Sequence, residues 1–338
     1  MKPLICIPMG DPAGIGAEII IKSLHQNNFS DTCRIAVIAD QEYMERAADC
    51  CNIKVQFVPF SSGVQCPPSS IPLIHTPITA GSSIHYGQVS TEAGQAAMLF
   101  IEKSVELVNS LNAQAIVTPP INKKSLRAAH IPFIGHTEIL ASLTHTPSPM
   151  TLFQVHNLRV CFLTRHLSLR DACSAITQES VLEGIHQSIN ALESLGAHQP
   201  HLAVAGLNPH CGEGGQFGDE ELLAIQPAVK KARYQGLHVS GPYPADSVFY
   251  QALQGQFDAV LSLYHDQGHI ATKMVDFERT VSITCGLPFL RTSVDHGTAY
   301  DIAGTGQASE VSMTEAIRVA ALYTDTPPSD TAMNHSHV

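Results

Sequence analysis

The chain of 338 residues is long enough to bury a large core, and 44% of its residues are hydrophobic with no Trp, as in a globular α/β enzyme. Its formal net charge of −11 argues against nucleic acid or an anionic membrane as the main partner, although a few local cations can still bind an anionic substrate. The nine Cys form no C-x-x-C pair, and no signal peptide or apolar run of about 18 residues is evident, so we expect a cytoplasmic protein without a disulfide framework.

Short apolar segments alternate with longer amphipathic segments along the chain. The predicted strands are LICIPM from residue 4, IAVIAD from 35, AQAIVTP from 113, LRVCFLT from 158, HLAVAGL from 201, AVLSLY from 259 and TVSITCG from 280. Helical patterns cover 91–110, 180–195 and 220–236. This alternation predicts βαβ units and a largely parallel sheet covered by helices on both faces. We predict one catalytic unit over 1–325, made of two interleaved α/β lobes that share a cleft, and a disordered tail over 326–338.

The first predicted strand leads into a glycine-rich turn, MGDPAGIGAEIIIKSL, that starts at Met9. Gly10, Gly14 and Gly16 have the spacing G-x-x-x-G-x-G, which does not match the G-x-G-x-x-G fingerprint of dinucleotide-binding Rossmann folds. We therefore interpret this segment as a tight turn at the start of a helix.

The segment GHTEIL places His136 and Thr137 at the predicted start of a helix. The free N–H groups and the positive end of the helix dipole favour a phosphate at such a position. The alternative interpretation is that Thr137 is an ordinary N-cap, which needs no ligand.

Three predicted strands are followed by a histidine: His166 after VCFLT, His210 after LAVAGL and His265 after AVLSLY. The carboxyl ends of parallel strands lie on one edge of a sheet, and neutral imidazoles there are good ligands for a divalent metal. Taken singly, each histidine is better explained as a cap of its strand end or by a hydrogen bond to a loop carbonyl. Because three strands share the pattern, we favour a metal site.

The stretch from residue 273 to 306 contains two cations and an unusual loop. Lys273 and Arg291 are conspicuous in a chain with only 19 Lys and Arg, although a surface role is also open to them. The loop DHGTAYDIAGTG, from Asp295, resembles the segment that binds the adenosine part of NAD in isocitrate and isopropylmalate dehydrogenases. Those enzymes bind NAD without a Rossmann fold.

Together these motifs make the chain resemble the 4-hydroxythreonine-4-phosphate dehydrogenase family, including its 4-phospho-D-threonate and 4-phospho-D-erythronate branch. The motifs run from residue 9 to about 306 and are MGDPAGIGAEI, INK, GHTEILA, TRHLSLRD, GLNPHCGEGG, GPYPAD, YHDQGH and GLPFLRTSVDHGTAYDIAG. The resemblance implies an isocitrate/isopropylmalate-dehydrogenase-like two-lobed α/β/α fold with a non-Rossmann NAD site. It also implies a homodimer with active sites at the subunit interface, NAD as cofactor and a divalent cation (Zn, Mg, Mn or Co).

The resemblance also assigns residues to roles. It implies His166, His210 and His265 as metal ligands drawn from both subunits. The implied substrate contacts are His136, Thr137, Lys273, Ser282 and Arg291. The implied cofactor contacts are Asp295, Gly297, Thr298, Asp301 and Gly304.

The sequence departs from the family pattern at two places. Ser282 stands where members usually carry Asn, and a hydroxyl has a shorter reach and fewer hydrogen-bonding groups than an amide. VTPP at 117–120 stands where a Gly-Pro pair is commoner. The HDQGHI segment, in contrast, resembles the D-threonate and D-erythronate branch.

The resemblance leads to a mechanistic hypothesis for 4-phosphooxy-L-threonine. NAD accepts hydride from the carbon that bears the 3-hydroxyl, the metal acts as a Lewis acid, and Lys273, Asp246 or Asp266 takes the proton. Loss of CO₂ then gives 3-amino-2-oxopropyl phosphate, a precursor in pyridoxal phosphate (vitamin B6) biosynthesis. With 4-phospho-D-threonate the same chemistry gives dihydroxyacetone phosphate.

Three other classes of function remain open at this point. A metal-dependent lyase or hydrolase keeps the histidine site and needs no NAD. A phosphotransacetylase-like acyltransferase shares a related fold but needs no histidine at the strand ends. A non-catalytic binding protein leaves the polar groups at the three strand ends unexplained.

Overall fold

The computed structural model describes residues 2–61, 67, 70–78, 83–147 and 149–325 of the chain. The tail predicted over 326–338 lies outside these residues. The twelve strands are β1 Leu4–Pro8, β2 Arg34–Ala39, β3 Gln56–Pro59, β4 Ser70–His75, β5 Ala115–Thr118, β6 Met150–Val155, β7 Leu158–Phe162, β8 Leu202–Ala205, β9 Val239–Tyr243, β10 Ala259–Ser262, β11 Val281–Cys285 and β12 Leu290–Val294.

Eleven α-helices occur among the described residues. They are α1 Gly16–Gln26, α2 Gln41–Cys50, α3 Thr91–Leu111, α4 Lys123–Ala128, α5 His136–Leu143, α6 Leu169–Ser174, α7 Gln178–Ser194, α8 Gln226–Tyr234, α9 Ala245–Leu253, α10 His265–Val275 and α11 Val311–Thr324. No helix in this part of the chain is long and apolar enough to cross a membrane.

The described residues form two compact units, and the chain returns to the first unit after completing the second. The first unit comprises residues up to 149 together with the segment from 286, and the second unit comprises Met150–Cys285.

The six strands of the first unit run in the order β3-β4-β2-β1-β5-β12, and every neighbouring pair is parallel. All residues of β1 and β5 are buried, as expected for central strands covered on both faces. The predicted helix over 91–110 is α3, which begins after Ser90, whose side chain accepts a hydrogen bond from the N–H of Ala93. This unit confirms the parallel α/β prediction.

The strands of the second unit run in the order β11-β6-β7-β10-β8-β9. β6 is antiparallel to both of its neighbours, whereas β7, β10, β8 and β9 are parallel. The core of this unit is built on Val155, Val160, Phe162 and Val260. β7, β10 and β8 are therefore adjacent and parallel, so their carboxyl ends lie on the same edge of the sheet.

All seven predicted strands are present, but the sequence patterns missed β3, β4, β6, β9 and β12. β9 contains Gly and Pro, and β12 is mostly polar, so neither has the apolar run on which the prediction depended. The segment 220–236 also differs from a single helix. It begins with a π-helical turn at Glu221–Ile225 and continues as α8.

Candidate functional site

The start of α5 carries the candidate phosphate site of the first unit. The helix begins at His136 after Gly135, which has no side chain to cap it, so the alternative of a Thr137 N-cap is wrong. His136 is 8% exposed, and its Nε2 atom has no hydrogen-bond partner among the described residues. Burial and the neighbouring charge of Arg291 hold the pKa of His136 well below its usual value. A neutral imidazole with an unsatisfied nitrogen thus lies at an uncapped helix start.

Arg291 brings a buried positive charge close to His136. It lies in β12 and is 5% exposed, and its Nε and Nη2 atoms donate hydrogen bonds of 3.0 and 2.8 Å to Oγ1 of Thr118 in β5. Burial lowers the pKa of Arg291 to about 10, which leaves the guanidinium charged at neutral pH. A buried cation that is fixed by a neighbouring strand is well suited to hold an anion.

A pocket of about 360 Å³ opens beside these residues in the first unit. Its lining includes Lys123, His136, Asp295, His296 and Gly297. A Cβ added to Gly297 would meet no atom within 4 Å, so the backbone of Gly297 faces open space. Of the five residues that the family resemblance assigned to the cofactor, Asp295 and Gly297 line this pocket.

The remaining predicted cofactor residues lie in the same loop but away from the pocket lining. Thr298 is 7% exposed, and its hydroxyl accepts a hydrogen bond of 3.1 Å from Nδ2 of Asn122. The N–H of Gly304 donates to Glu18, and a Cβ on Gly304 would meet the ring of Tyr86. Asp301 is exposed. Thr298 and Gly304 therefore have contacts that hold the loop in place.

In the second unit, Gln267 fixes the start of α10, the helix that begins with His265. Its side-chain oxygen accepts a hydrogen bond of 2.8 Å from the N–H of Leu263, and its Nε2 donates one of 2.8 Å to the carbonyl of Gly206. Gly206 follows β8 and Leu263 follows β10, so one buried amide links two neighbouring strand ends. A Cβ on Gly268 would lie 2.6 Å from the Phe162 ring, so glycine allows α10 to approach β7.

His265 lies close to two other histidines. Its ring centroid is 6.2 Å from that of His166 and 4.1 Å from that of His269. Its Nδ1 atom is 2.7 Å from Oδ1 of Asp266. When a carboxylate accepts a hydrogen bond from Nδ1–H, the lone pair of Nε2 is free to coordinate a metal. This is the usual arrangement of a metal-bound histidine.

His210, the third predicted ligand, follows β8 in a left-handed turn. The residues from His210 to Gly215 all have positive φ, including 52° at His210 and 54° at Cys211, a conformation that is costly for side chains other than glycine. Its ring lies 6.3 Å from that of Phe217. Within the described ranges, no group of three or more His, Cys, Asp or Glu is arranged to hold a metal ion. A single chain thus brings His166 and His265 together without His210.

The other predicted residues of the second unit lie on three different elements. Lys273 lies on α10, and its Nζ is 5.2 Å from the centroid of the Phe277 ring. Asp246 is exposed in the first turn of α9. Ser282 is 8% exposed and lies opposite Phe153 in the β11–β6 pair.

Sequence reasoning missed His269, which packs among the candidate site residues. Its ring contacts Phe153 and Phe162, with centroids 4.4 and 4.7 Å away, and its Nδ1 is buried with no partner among the described residues. Burial, followed by the charges of His265 and Lys273, lowers its pKa to about 4. The available signal was the spacing of four between His265 and His269, which places both on one helix face.

Comparison with known proteins places the chain in a family. The model of the family described as "Pyridoxal phosphate biosynthetic protein PdxA" matches residues 31–320. The chain belongs to the PdxA family. This confirms the resemblance that the motifs indicated.

Individual relatives of the PdxA family cover nearly the whole chain. A protein of Symbiobacterium thermophilum named "Putative D-threonate 4-phosphate dehydrogenase" is 54% identical over 95% of this chain and 97% of its own length. A protein of the same name from Fusobacterium nucleatum is 50% identical over 96% of this chain and 98% of its own. The crystal structure of 4-hydroxythreonine-4-phosphate dehydrogenase from Klebsiella pneumoniae superposes with a TM-score of 0.87 at 38% identity, covering 95% of this chain and 99% of that one.

Proposed function

We propose that the chain is a dehydrogenase that oxidises the 3-hydroxyl of D-threonate 4-phosphate with NAD, followed by loss of CO₂ to give dihydroxyacetone phosphate. The observation that carries the choice of substrate is the 54% identity to the relative named for D-threonate 4-phosphate, over 97% of that relative. Family membership supports the broader statement that it is an oxidoreductase acting on a CH–OH group.

The substrate phosphate is proposed to bind at the start of α5. Arg291 supplies a fixed positive charge, His136 supplies an unsatisfied Nε2, and Thr137 lies in the first turn of the helix. Binding the phosphate away from the reacting carbon uses remote binding energy to orient that carbon.

A divalent metal is proposed to be held by His166, His210 and His265. The donor set fits this role, because two accessible imidazoles lie 6.2 Å apart and the Asp266 carboxylate orients one of them. The family resemblance draws these ligands from both subunits, which agrees with a single chain that brings only two of them together. When bound, the metal would supply Lewis-acid activation of the substrate hydroxyl.

NAD is proposed to bind along the loop that starts at Asp295. The exposed backbone of Gly297 in a pocket fits a ligand that approaches the chain closely. When bound, NAD would supply the hydride acceptor.

The substrate hydroxyl proton is proposed to pass to Nζ of Lys273. Burial, His265 and then the charge of Lys273 lower the pKa of His269, so Lys273 lies near His269. The carboxylate of Asp266 is already engaged with His265, and Asp246 is exposed on α9. Of the three candidate bases, Lys273 therefore has the strongest support.

A homodimer is proposed to form around α10. Ile270 and Met274 lie one turn apart on this helix, Phe277 follows just after its end, and the three side chains are 62, 80 and 64% exposed. An apolar surface beside a candidate active site is typical of a subunit interface. Met274→Glu should shift the protein toward monomer in size-exclusion chromatography with light scattering.

The test is absorbance at 340 nm with NAD⁺, each of Zn²⁺, Mg²⁺, Mn²⁺ and Co²⁺, and two substrates in parallel, D-threonate 4-phosphate and 4-phosphooxy-L-threonine. We expect NADH formation with the first substrate. Turnover of only the second would replace the proposed function with the 4-hydroxythreonine-4-phosphate activity named in the Klebsiella structure. No NADH with either substrate would favour the lyase or hydrolase alternative.

The second candidate, oxidation of 4-phosphooxy-L-threonine to 3-amino-2-oxopropyl phosphate, is supported by the structural neighbours. The similarity to the Klebsiella enzyme is 38% identity, lower than the 54% to the D-threonate-type relative. The mechanistic hypothesis drawn from the motifs took 4-phosphooxy-L-threonine as its substrate, whereas this difference in identity favours D-threonate 4-phosphate.

A further inference from the structure

The pocket of the first unit contains a cation that the proposed function does not use. Lys123 follows Asn122 in the INK segment and lines the same pocket as His136, Asp295, His296 and Gly297. His136, which is 8% exposed, also lines this pocket, and its Nε2 atom has no hydrogen-bond partner among the described residues. The pocket therefore has an unsatisfied buried polar atom as well as a lysine.

Lys123 differs from the lysines whose charges are used within the protein. Lys22 donates to the carbonyls of Gly306 and Ala308, and Lys103 pairs with Glu106 at 2.8 Å. Lys123 is exposed, and no ion pair or side-chain hydrogen bond of its ammonium occurs among the described residues. A lysine that keeps its charge available at a pocket wall is well placed to bind an anion.

The backbone holds Lys123 in this position. The side chain of Asn122 accepts hydrogen bonds from the N–H groups of Lys124 and Ser125, and its Nδ2 donates to Thr298. The turn that carries Lys123 is thus tied to the loop that supplies Asp295, His296 and Gly297 to the pocket. The position of the lysine relative to that loop is supported by the half-buried hydrogen bond between Asn122 and Thr298.

We propose that Lys123 is a phosphate-binding residue of this pocket, acting with His136. The inference rests on the proposed function for the presence of phosphorylated ligands. Two sources share this chemistry: the phosphate of the substrate and the pyrophosphate of NAD. A phosphate can be held by the lysine and the imidazole together.

The experiment compares Lys123→Met with Lys124→Met, since both remove one charge from adjacent exposed residues and only Lys123 lines the pocket. Dissociation constants are measured for inorganic phosphate by ³¹P NMR and for NAD⁺ by calorimetry, at constant ionic strength. A charge-assisted contact predicts that Lys123→Met weakens binding of at least one probe by roughly ten-fold or more, and that Lys124→Met changes both by less than about two-fold. Lys123→Arg, which keeps the charge, should retain most of the affinity.

The two probes separate the two sources. Weaker phosphate binding with unchanged NAD⁺ binding identifies the substrate phosphate, the reverse identifies the cofactor, and loss of both means that Lys123 contacts each. Equal constants for Lys123→Met and the wild type would overturn the proposal, as would equal losses in the two methionine variants. Because binding is measured without turnover, failure of the dehydrogenase assay would leave this result intact.

Discussion

The buried carboxylate of Glu18 in α1 accepts a hydrogen bond of 2.7 Å from the backbone N–H of Gly304. Its second oxygen accepts one of 2.9 Å from the N–H of Gly306, and Lys22, one turn later, donates to the carbonyls of Gly306 and Ala308. Side chains from one helix thus bind both the donors and the acceptors of a single loop. The glycine-rich segment at the start of α1 has a structural consequence: it leads into the helix that holds the proposed cofactor loop.

Glu18→Gln should lower the free energy of unfolding by roughly 1.5–3 kcal/mol, because an amide turns one acceptor into a donor that faces a backbone N–H. Urea denaturation measures the change. Glu42→Gln, which alters an exposed residue in the first turn of α2, should stay within about 0.5 kcal/mol of the wild type. Equal stabilities for the two variants would contradict a stabilising role for the hydrogen bonds between Glu18 and the loop that contains Gly304 and Gly306.

Tyr300→Phe should also destabilise the first unit, by about 1–3 kcal/mol. The phenol donates a hydrogen bond of 2.7 Å to Asp11, which is 1% exposed, and lies 3.0 Å from the hydroxyl of Ser125. Burial already raises the pKa of Asp11, so loss of this donor leaves its carboxylate less stabilised. Tyr250→Phe is the control, because Tyr250 is 67% exposed, and a comparable loss there would refute the specific role of Tyr300.

The protein should lose stability on acidification below about pH 6.5, in part because of His136. Its pKa is held well below the usual value in the folded state, so the unfolded chain takes up this proton first and unfolding becomes favourable as the pH falls. The contribution of His136 to stability is fully present above the pKa that this residue has in the unfolded chain. Below that pH the contribution declines, by at most about 1.4 kcal/mol per pH unit for one proton. His136→Asn should show a shallower decline in urea denaturation between pH 6.5 and 5. If the stability of His136→Asn falls with pH as steeply as that of the wild type, the result would be inconsistent with a buried neutral imidazole at position 136. The matched control is His25→Asn, which removes an exposed ring.

Asp266→Asn should weaken metal binding by roughly ten- to one-hundred-fold, because the amide no longer holds the Nδ1–H of His265 as a carboxylate does. Metal content after dialysis against graded chelator, measured by mass spectrometry, gives the change without any need for turnover. Asp49→Asn, an exposed change on α2, should leave the metal content unaltered. Undiminished metal retention in Asp266→Asn would remove the support for His265 as a ligand.

The sequence by itself determined the class of fold and the family. The largely apolar runs of β1, β5, β7, β8 and β10 have few ways to be buried other than as central strands, so their pattern was sufficient to predict parallel sheet. Because parallel strands have their carboxyl ends on one edge of the sheet, the histidines that follow three of these runs could be predicted to lie on that edge. The structure agrees in making β7, β10 and β8 neighbours.

Tertiary structure alone decided which of these groups meet. Periodicity reports burial but carries no information about contacts between distant residues, so the pairing of Glu18 with Gly304 and of Asp11 with Tyr300, nearly 300 residues apart, had no local signal. The same holds for Lys123, which lines the pocket next to Asn122, whose side chain binds the distant Thr298. His265 and His269 are four residues apart in the sequence, but the burial of His269 against Phe153 and Phe162 depends on how α10 packs on the sheet. Hydrogen bonds and burial between distant segments, which only the folded chain brings together, therefore determined the details of the site.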